Sequence, residues 1–384
     1  MTPAWLHRPG WVLHVDFRRA LVDEVIVKNG TEKSVPAVDP THGRVFVGTS
    51  DRGFHALRVG DGSVLWRFAT AGGVNAEALY DVTRDVVWFG SDDDGLYCLR
   101  AKDGSLVYRY RTGAPVQRKP LLVPRPSGKS VLVFDNSADA VFAIDADTGA
   151  TLWKHIRTPA QGLEIAGHAG VAYDEGRVYV AFSTGHVVAY DIDTGKERWP
   201  EVDLSATGGT AAEDQQPYFD VDTTPLVVGD RVLFGSIAGG ITALDATAGS
   251  AIWRRAEATG VAWLTHWHED AHVDAQGADV PERSLVIAGS GTTGLWALDP
   301  KTGAVVWRRQ GPVGALVSPV AIAGALLVGS SKGGLFLFEP REGNVIDGLE
   351  TGTGFAAGAA AYGNRAFVLT NGGVLLGLQV VIPH

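Results

Sequence analysis

Three histidines raise the first question of chemistry. His266, His268 and His272 share a stretch with Trp263, Trp267, Glu269, Asp270 and Asp274. His-x-His-x-x-x-His is a spacing that can present three imidazoles to zinc or another first-row metal. In an extended strand His266 and His268 share one face and Trp263 and Trp267 the other, which describes an ordinary packed hairpin equally well. We therefore expect no metal, these three histidines being the candidates if one binds. Ser91-Asp92-Asp93-Asp94-Gly95 invites a calcium reading because hard cations prefer clustered carboxylates. The corresponding turns elsewhere read Thr49-Ser50-Asp51-Arg52-Gly53 and Ser330-Ser331-Lys332-Gly333-Gly334, so the position is a solvated hairpin tip whose sequence drifts. The single cysteine, Cys98, permits no intrachain disulfide. Cys-x-x-Cys and phosphate-loop motifs are absent from the chain. Asp220 and Asp222, taken alone, read as turn carboxylates that bond nearby backbone amides.

The elements that must position these residues are repeats. An apolar strand ending in Gly, a polar turn, a second apolar strand and a Gly-containing turn recur, with an aromatic four residues after the turn glycine. Gly62/Trp66, Gly104/Tyr108, Gly149/Trp153, Gly195/Trp199, Gly249/Trp253 and Gly303/Trp307 keep that spacing, whereas Gly343 is followed by Asp347. Successive aromatic positions lie 42, 45, 46, 54 and 54 residues apart, room for four short strands each time. That is the period of propeller blades. With 49 glycines, 11 tryptophans and 45% hydrophobic residues, the composition is that of an all-β chain.

Both ends of the chain hold partial units. Trp11 to Phe17 alternates like a strand with no blade before it, and three strand candidates (355–362, 365–370 and 374–380) follow Thr351 without a fourth. Pairing residues 11–17 with 355–380 would complete an eighth blade and remove an open sheet edge. The expectation is one domain over residues 1–384, an eight-bladed β-propeller of four-stranded antiparallel blades.

Acidic residues outnumber basic ones, 43 to 33, for a net charge of -10. Nucleic acid and an anionic membrane face are thus unexpected partners. No apolar run approaches the roughly 20 residues of a membrane span, and the first thirty residues show no secretory signal.

Asp-x-x-Thr-Gly-x-x-x-Trp, clearest at Asp145 to Trp153 and Asp191 to Trp199, resembles the ending of PQQ-like repeats. The insertion from Glu201 to Phe219, with Ala206-Thr207-Gly208 and the closing Asp220-Val221-Asp222-Thr223-Thr224-Pro225, looks like a segment of the BamB family of outer-membrane assembly lipoproteins. A second likeness is Gly162-Leu163-Glu164-Ile165-Ala166-Gly167, although Ala166 stands where that family has arginine. The resemblance implies a non-catalytic scaffold without cofactor at the periplasmic face of the outer membrane. Its partner would be a POTRA domain of a BamA-like protein, touched by Asp220, Asp222, Leu163 and Ile165. The family's lipid anchor has no counterpart among these residues, since Cys98 lies inside a repeat. The rival reading is a quinoprotein dehydrogenase using pyrroloquinoline quinone. Such enzymes carry a vicinal cysteine pair, a calcium ion and a catalytic aspartate, and one cysteine cannot supply that pair.

Overall fold

The computed structural model describes residues 12–22, 31–158, 169–204, 221, 223–273 and 277–381. Eight four-stranded antiparallel sheets follow one another around a central axis. Blades one to five begin with the inner strands Ala37–Asp39, Leu79–Asp81, Leu121–Pro124, Val171–Asp174 and Leu226–Val228. The inner strands of blades six to eight are Val261–Glu269, Val320–Ile322 and Ala360–Tyr362. Each second and third strand is apolar on both faces, because a blade is covered by a neighbour on either side, as in Val86–Ser91 and Gly95–Arg100. The core is accordingly divided into clusters lying mostly between successive blades.

The turn glycine and the aromatic act in different blades. Each aromatic on an outer strand lies against the turn glycine of the following blade, so that a Cβ on Gly195 would come within 2.8 Å of the Trp153 ring and one on Gly303 within 2.5 Å of Trp253. Those glycines also adopt φ of +68° in both cases, a second reason for the residue. The aromatic's polar end then bonds the same turn: Trp66 Nε1 donates to the Ala101 carbonyl at 3.0 Å, Trp153 to Ile192 at 2.8 Å and Trp307 to Pro340 at 2.8 Å. Tyr108 does likewise through its hydroxyl, to Ala146 at 3.0 Å.

The ring closes as expected, with Val12–Ala20 forming the outer strand of blade eight in the order first strand, Val374–Val381, Arg365–Leu369, Ala360–Tyr362. Two boundaries differ from the sequence reading. The N-terminal strand runs on to Ala20, past Phe17, and Trp11 lies outside the described residues. The first strand of blade eight begins at Ala360 rather than Phe355. Residues 354–358 instead cross over blade seven: Phe355 N donates to Ser330 O at 3.0 Å, and a Cβ on Gly354 would lie 1.8 Å from the Ser331 carbonyl oxygen. That contact leaves no room for a ladder.

Antiparallel winding sorts the loops onto two faces. Connections between blades and the turns between second and third strands share one face, called here the upper face. The turns carrying the Asp-x-x-Thr-Gly sequence lie on the lower one.

Candidate functional site

The two stretched regions of the sequence fall on opposite faces. The strands that flank residues 205–222, Glu197–Asp203 of blade four and Leu226–Val228 of blade five, end and begin at the upper face, whereas the first two strands of blade six, Val261–Glu269 and Arg283–Ser290, meet at the lower face. Thr151–Ile156 of blade three ends, and Val171–Asp174 of blade four begins, at the upper face as well. Asp220, Asp222, Leu163 and Ile165 all lie outside the described residues.

What is described are the residues that flank both segments. Val221 is buried among Tyr179, Ala181, Val232 and Phe234 between blades four and five. Thr223 is fully enclosed, its Oγ1 accepting from Gly235 N at 2.7 Å. Thr224 Oγ1 accepts from Gly170 N at 3.2 Å, and a Cβ on Gly170 would sit 2.6 Å from that oxygen. The end of one segment is thereby clasped to the end of the other, across 54 residues of chain. At the other ends, Leu204 N donates to Gly185 O at 3.0 Å, and Arg157 pairs with Glu201 while its guanidinium lies 4.4 Å from the Phe182 ring centroid. The Arg157 hydrogen bond holds the Glu201 carboxyl below its usual range. Both segments thus leave a framework fixed by blades three to five.

The lower-face histidines take separate partners. His266 Nε2 meets Ser284 Oγ at 2.8 Å, His268 Nε2 meets Asp270 Oδ1 at 3.0 Å, and His272 Nδ1 meets the Asp270 carbonyl at 3.1 Å. His266 and His268 do share a face, with ring centroids 6.0 Å apart. Burial, and then the neighbouring His268, hold the His266 imidazole below its usual range. The two tryptophans share the other face of the strand, Trp267 in the core between blades six and seven and Trp263 beneath the Arg118 guanidinium. Among the described residues the one trio placed like metal ligands is Asp39, His42 and Asp85. Arg44 already bonds both of its carboxylates, filling the cation's place. The carboxylates at 92–93 are likewise engaged: Asp92 accepts from Asn75 Nδ2 at 2.7 Å and Asp93 from Tyr97 Oη at 2.6 Å.

A feature that sequence reasoning missed lies on the axis. Blades one, two, five, six and seven carry Gly48, Gly90, Gly235, Gly289 and Gly329 at equivalent positions of their second strands, and blade three has Asp135. Asp135 is buried, and burial pushes its carboxyl well above the usual range against the attraction of Arg118. Arg118, next to the inner strand of blade three, places its guanidinium 4.7 Å from the ring centroid of Trp263 in blade six, crossing the channel. Blades four and eight carry Ala181 and Leu369 there, so the charge at Asp135 was the signal available in the sequence.

The chain matches the family described as outer membrane protein assembly factor BamB, over residues 50–309 and 264–365. It belongs to the BamB family of PQQ-like repeat propellers. BamB of Moraxella catarrhalis superposes with a TM-score of 0.73 at 20% identity, covering 96% of this chain and all of that one, a likeness of fold. BamB of Shewanella oneidensis is 22% identical over 241 residues, 62% of this chain and 48% of the relative. The quinohemoprotein alcohol dehydrogenase ADH-IIG of Pseudomonas putida is 30% identical over 203 residues, 44% of this chain and 26% of the enzyme. The matched regions therefore span between a quarter and a half of these two curated relatives.

The likeness to dehydrogenases implies a quinone, and the residues present do not fit it. Cys98 is enclosed between blades two and three, where burial pushes its thiol up to about 12, and it has no cysteine neighbour. The Arg118 to Trp263 contact spans the axis, and the trio that resembles a cation site is occupied by Arg44.

Proposed function

We propose that this chain is a non-catalytic docking scaffold of the BamB type, acting at the periplasmic face of the outer membrane in barrel-protein assembly. Its partner is a POTRA-type domain of a BamA-like protein, and the surface is formed by Asp220 and Asp222 with Leu163 and Ile165. The observation that carries the reading is the Gly170–Thr224 clasp: it draws the bases of both segments together on the upper face, so an apolar pair and two carboxylates can serve one partner. Aliphatic side chains supply buried area, and carboxylates select a basic face and speed encounter. The test is the double change Asp220→Ala with Asp222→Ala, measured for affinity to a POTRA fragment and for thermal stability. A loss of a few kcal/mol with an unchanged melt is expected if the acids pair in a desolvated contact. Equal binding, or a collapsed fold, returns both residues to the turn.

The 30% identity with a quinohemoprotein dehydrogenase favours one second reading, an enzyme. Titration with quinone and calcium, followed by dye-linked alcohol oxidation, separates the two: turnover ends the scaffold reading.

A further inference from the structure

We propose that the axial cavity binds a small zwitterion, a free amino acid or a short peptide with both ends charged. The channel contains a cavity of about 400 Å3, within the range of small-molecule sites. Its wall carries one carboxylate, Glu77, and one ammonium, Lys119. Each stands two residues before the inner strand of its blade, which begins at Leu79 in blade two and Leu121 in blade three, so the two residues hold equivalent places in adjacent blades.

Glu77 is half-buried and Lys119 exposed, and neither has an ion-pair or hydrogen-bond partner among the described residues. A ligand carrying both charges would answer both groups, its amine toward Glu77 and its carboxylate toward Lys119, through charge-assisted hydrogen bonds. The facing wall, from blades seven, eight and one, is small and largely apolar: Pro36, Ser318, Pro319 and Ala359. Gly358 keeps that wall close, since a Cβ there would lie 2.9 Å from Ser318 Cβ. Such a wall suits a short aliphatic body. In blade six Trp263, paired with Gly289, holds the equivalent depth and is capped by Arg118, so the far side of this layer is filled and the opening is bounded.

Isothermal titration of the full chain with L-alanyl-L-alanine and with L-alanine tests the assignment. Saturable binding of either zwitterion is expected, with none for N-acetyl-alanine methylamide, which lacks both charges, or for succinate, which lacks the amine. Glu77→Gln and Lys119→Met should each weaken binding about tenfold, the loss of one charge-assisted contact, with an unchanged melt. Exchanging the two, Glu77→Lys with Lys119→Glu, should restore binding with the ligand reversed. No heat up to about 10 mM of either zwitterion, weaker than any useful affinity, would overturn the proposal. So would equal binding of the neutral analogue or of succinate, or indifference to both single changes.

Discussion

The junction between blades three and four and the seam around blade eight solve the same problem with different parts. At the former, Trp153 leans on Gly195 and donates to Ile192, so one residue supplies both buried area and a hydrogen bond. Around blade eight the two jobs are separated. Between blades seven and eight the aromatic position is Asp347, whose Oδ2 accepts from Leu13 N at 2.8 Å. Between blades eight and one Phe17 leans on Gly62 but has no polar end, and Arg19 Nε bonds the Gly62 carbonyl at 2.9 Å, the counterpart of His155 Nε2 meeting the Gly195 carbonyl at 2.7 Å between blades three and four. A bulge between Val15 and Phe17 adjusts the strand so that the Phe17 ring lies between Gly377 of its own sheet and Gly62 of the next. The ordinary junction combines apolar cover and a bond to the turn in its indole, so more of its stability rests on that side chain. The seam spreads it along a strand whose nearest covalent connection is to blade one.

The largest expected effect follows from that spread. Removing residues 1–20 uncovers the long strand Val374–Val381, with Leu376, Leu378 and Val380 in the adjoining core, and should cost on the order of 5 kcal/mol or more. Chemical denaturation checks it; an unchanged midpoint would mean that the closing strand contributes nothing. Next, Trp153→Ala removes the concentrated lock and should cost about 3–5 kcal/mol. A loss below about 1 kcal/mol would erase the distinction between junction and seam, since surface changes cost that little. The smallest effect is predicted for Asp347→Ala, about 1–2 kcal/mol for one backbone donor left without its acceptor. If Asp347→Ala matched Trp153→Ala in the same denaturation series, the seam would be as concentrated as any other junction.

The blade count was legible because the glycine and the aromatic answer different constraints, a left-handed turn and a covered neighbour, and both keep their spacing in seven and six copies respectively. The role of Asp347 was not legible: its partner is a backbone amide 334 residues away that comes near only once the ring has closed. The first strand of blade eight was read five residues too early because Phe355 is apolar and buried, as a strand residue would be, while the close approach of Gly354 to blade seven has no sequence pattern. Of the proposed partner surface, the sequence named Asp220, Asp222, Leu163 and Ile165, which lie outside the described residues, and the contact between Gly170 and Thr224 had no pattern to announce it. The alternation in the histidine stretch correctly put His266 and His268 on one face, but Ser284 and Asp270 as their partners depend on strand register and a local turn. Glu77 and Lys119 went unnoticed because their position carries no motif and gains meaning only when the inner strands are superimposed.

The handing of each aromatic to the next blade bears on how such a ring can grow. A copied segment running from one turn glycine to the next would bring a seat for the aromatic before it and an aromatic for the seat after it. Duplication of a middle blade is therefore self-matching at both joins, and the coupling extends only to nearest neighbours, as in other repeat arrays. Blade eight has no such freedom, for a copy of residues 347–380 would carry neither the strand that Asp347 recognises nor an aromatic for the glycine that follows.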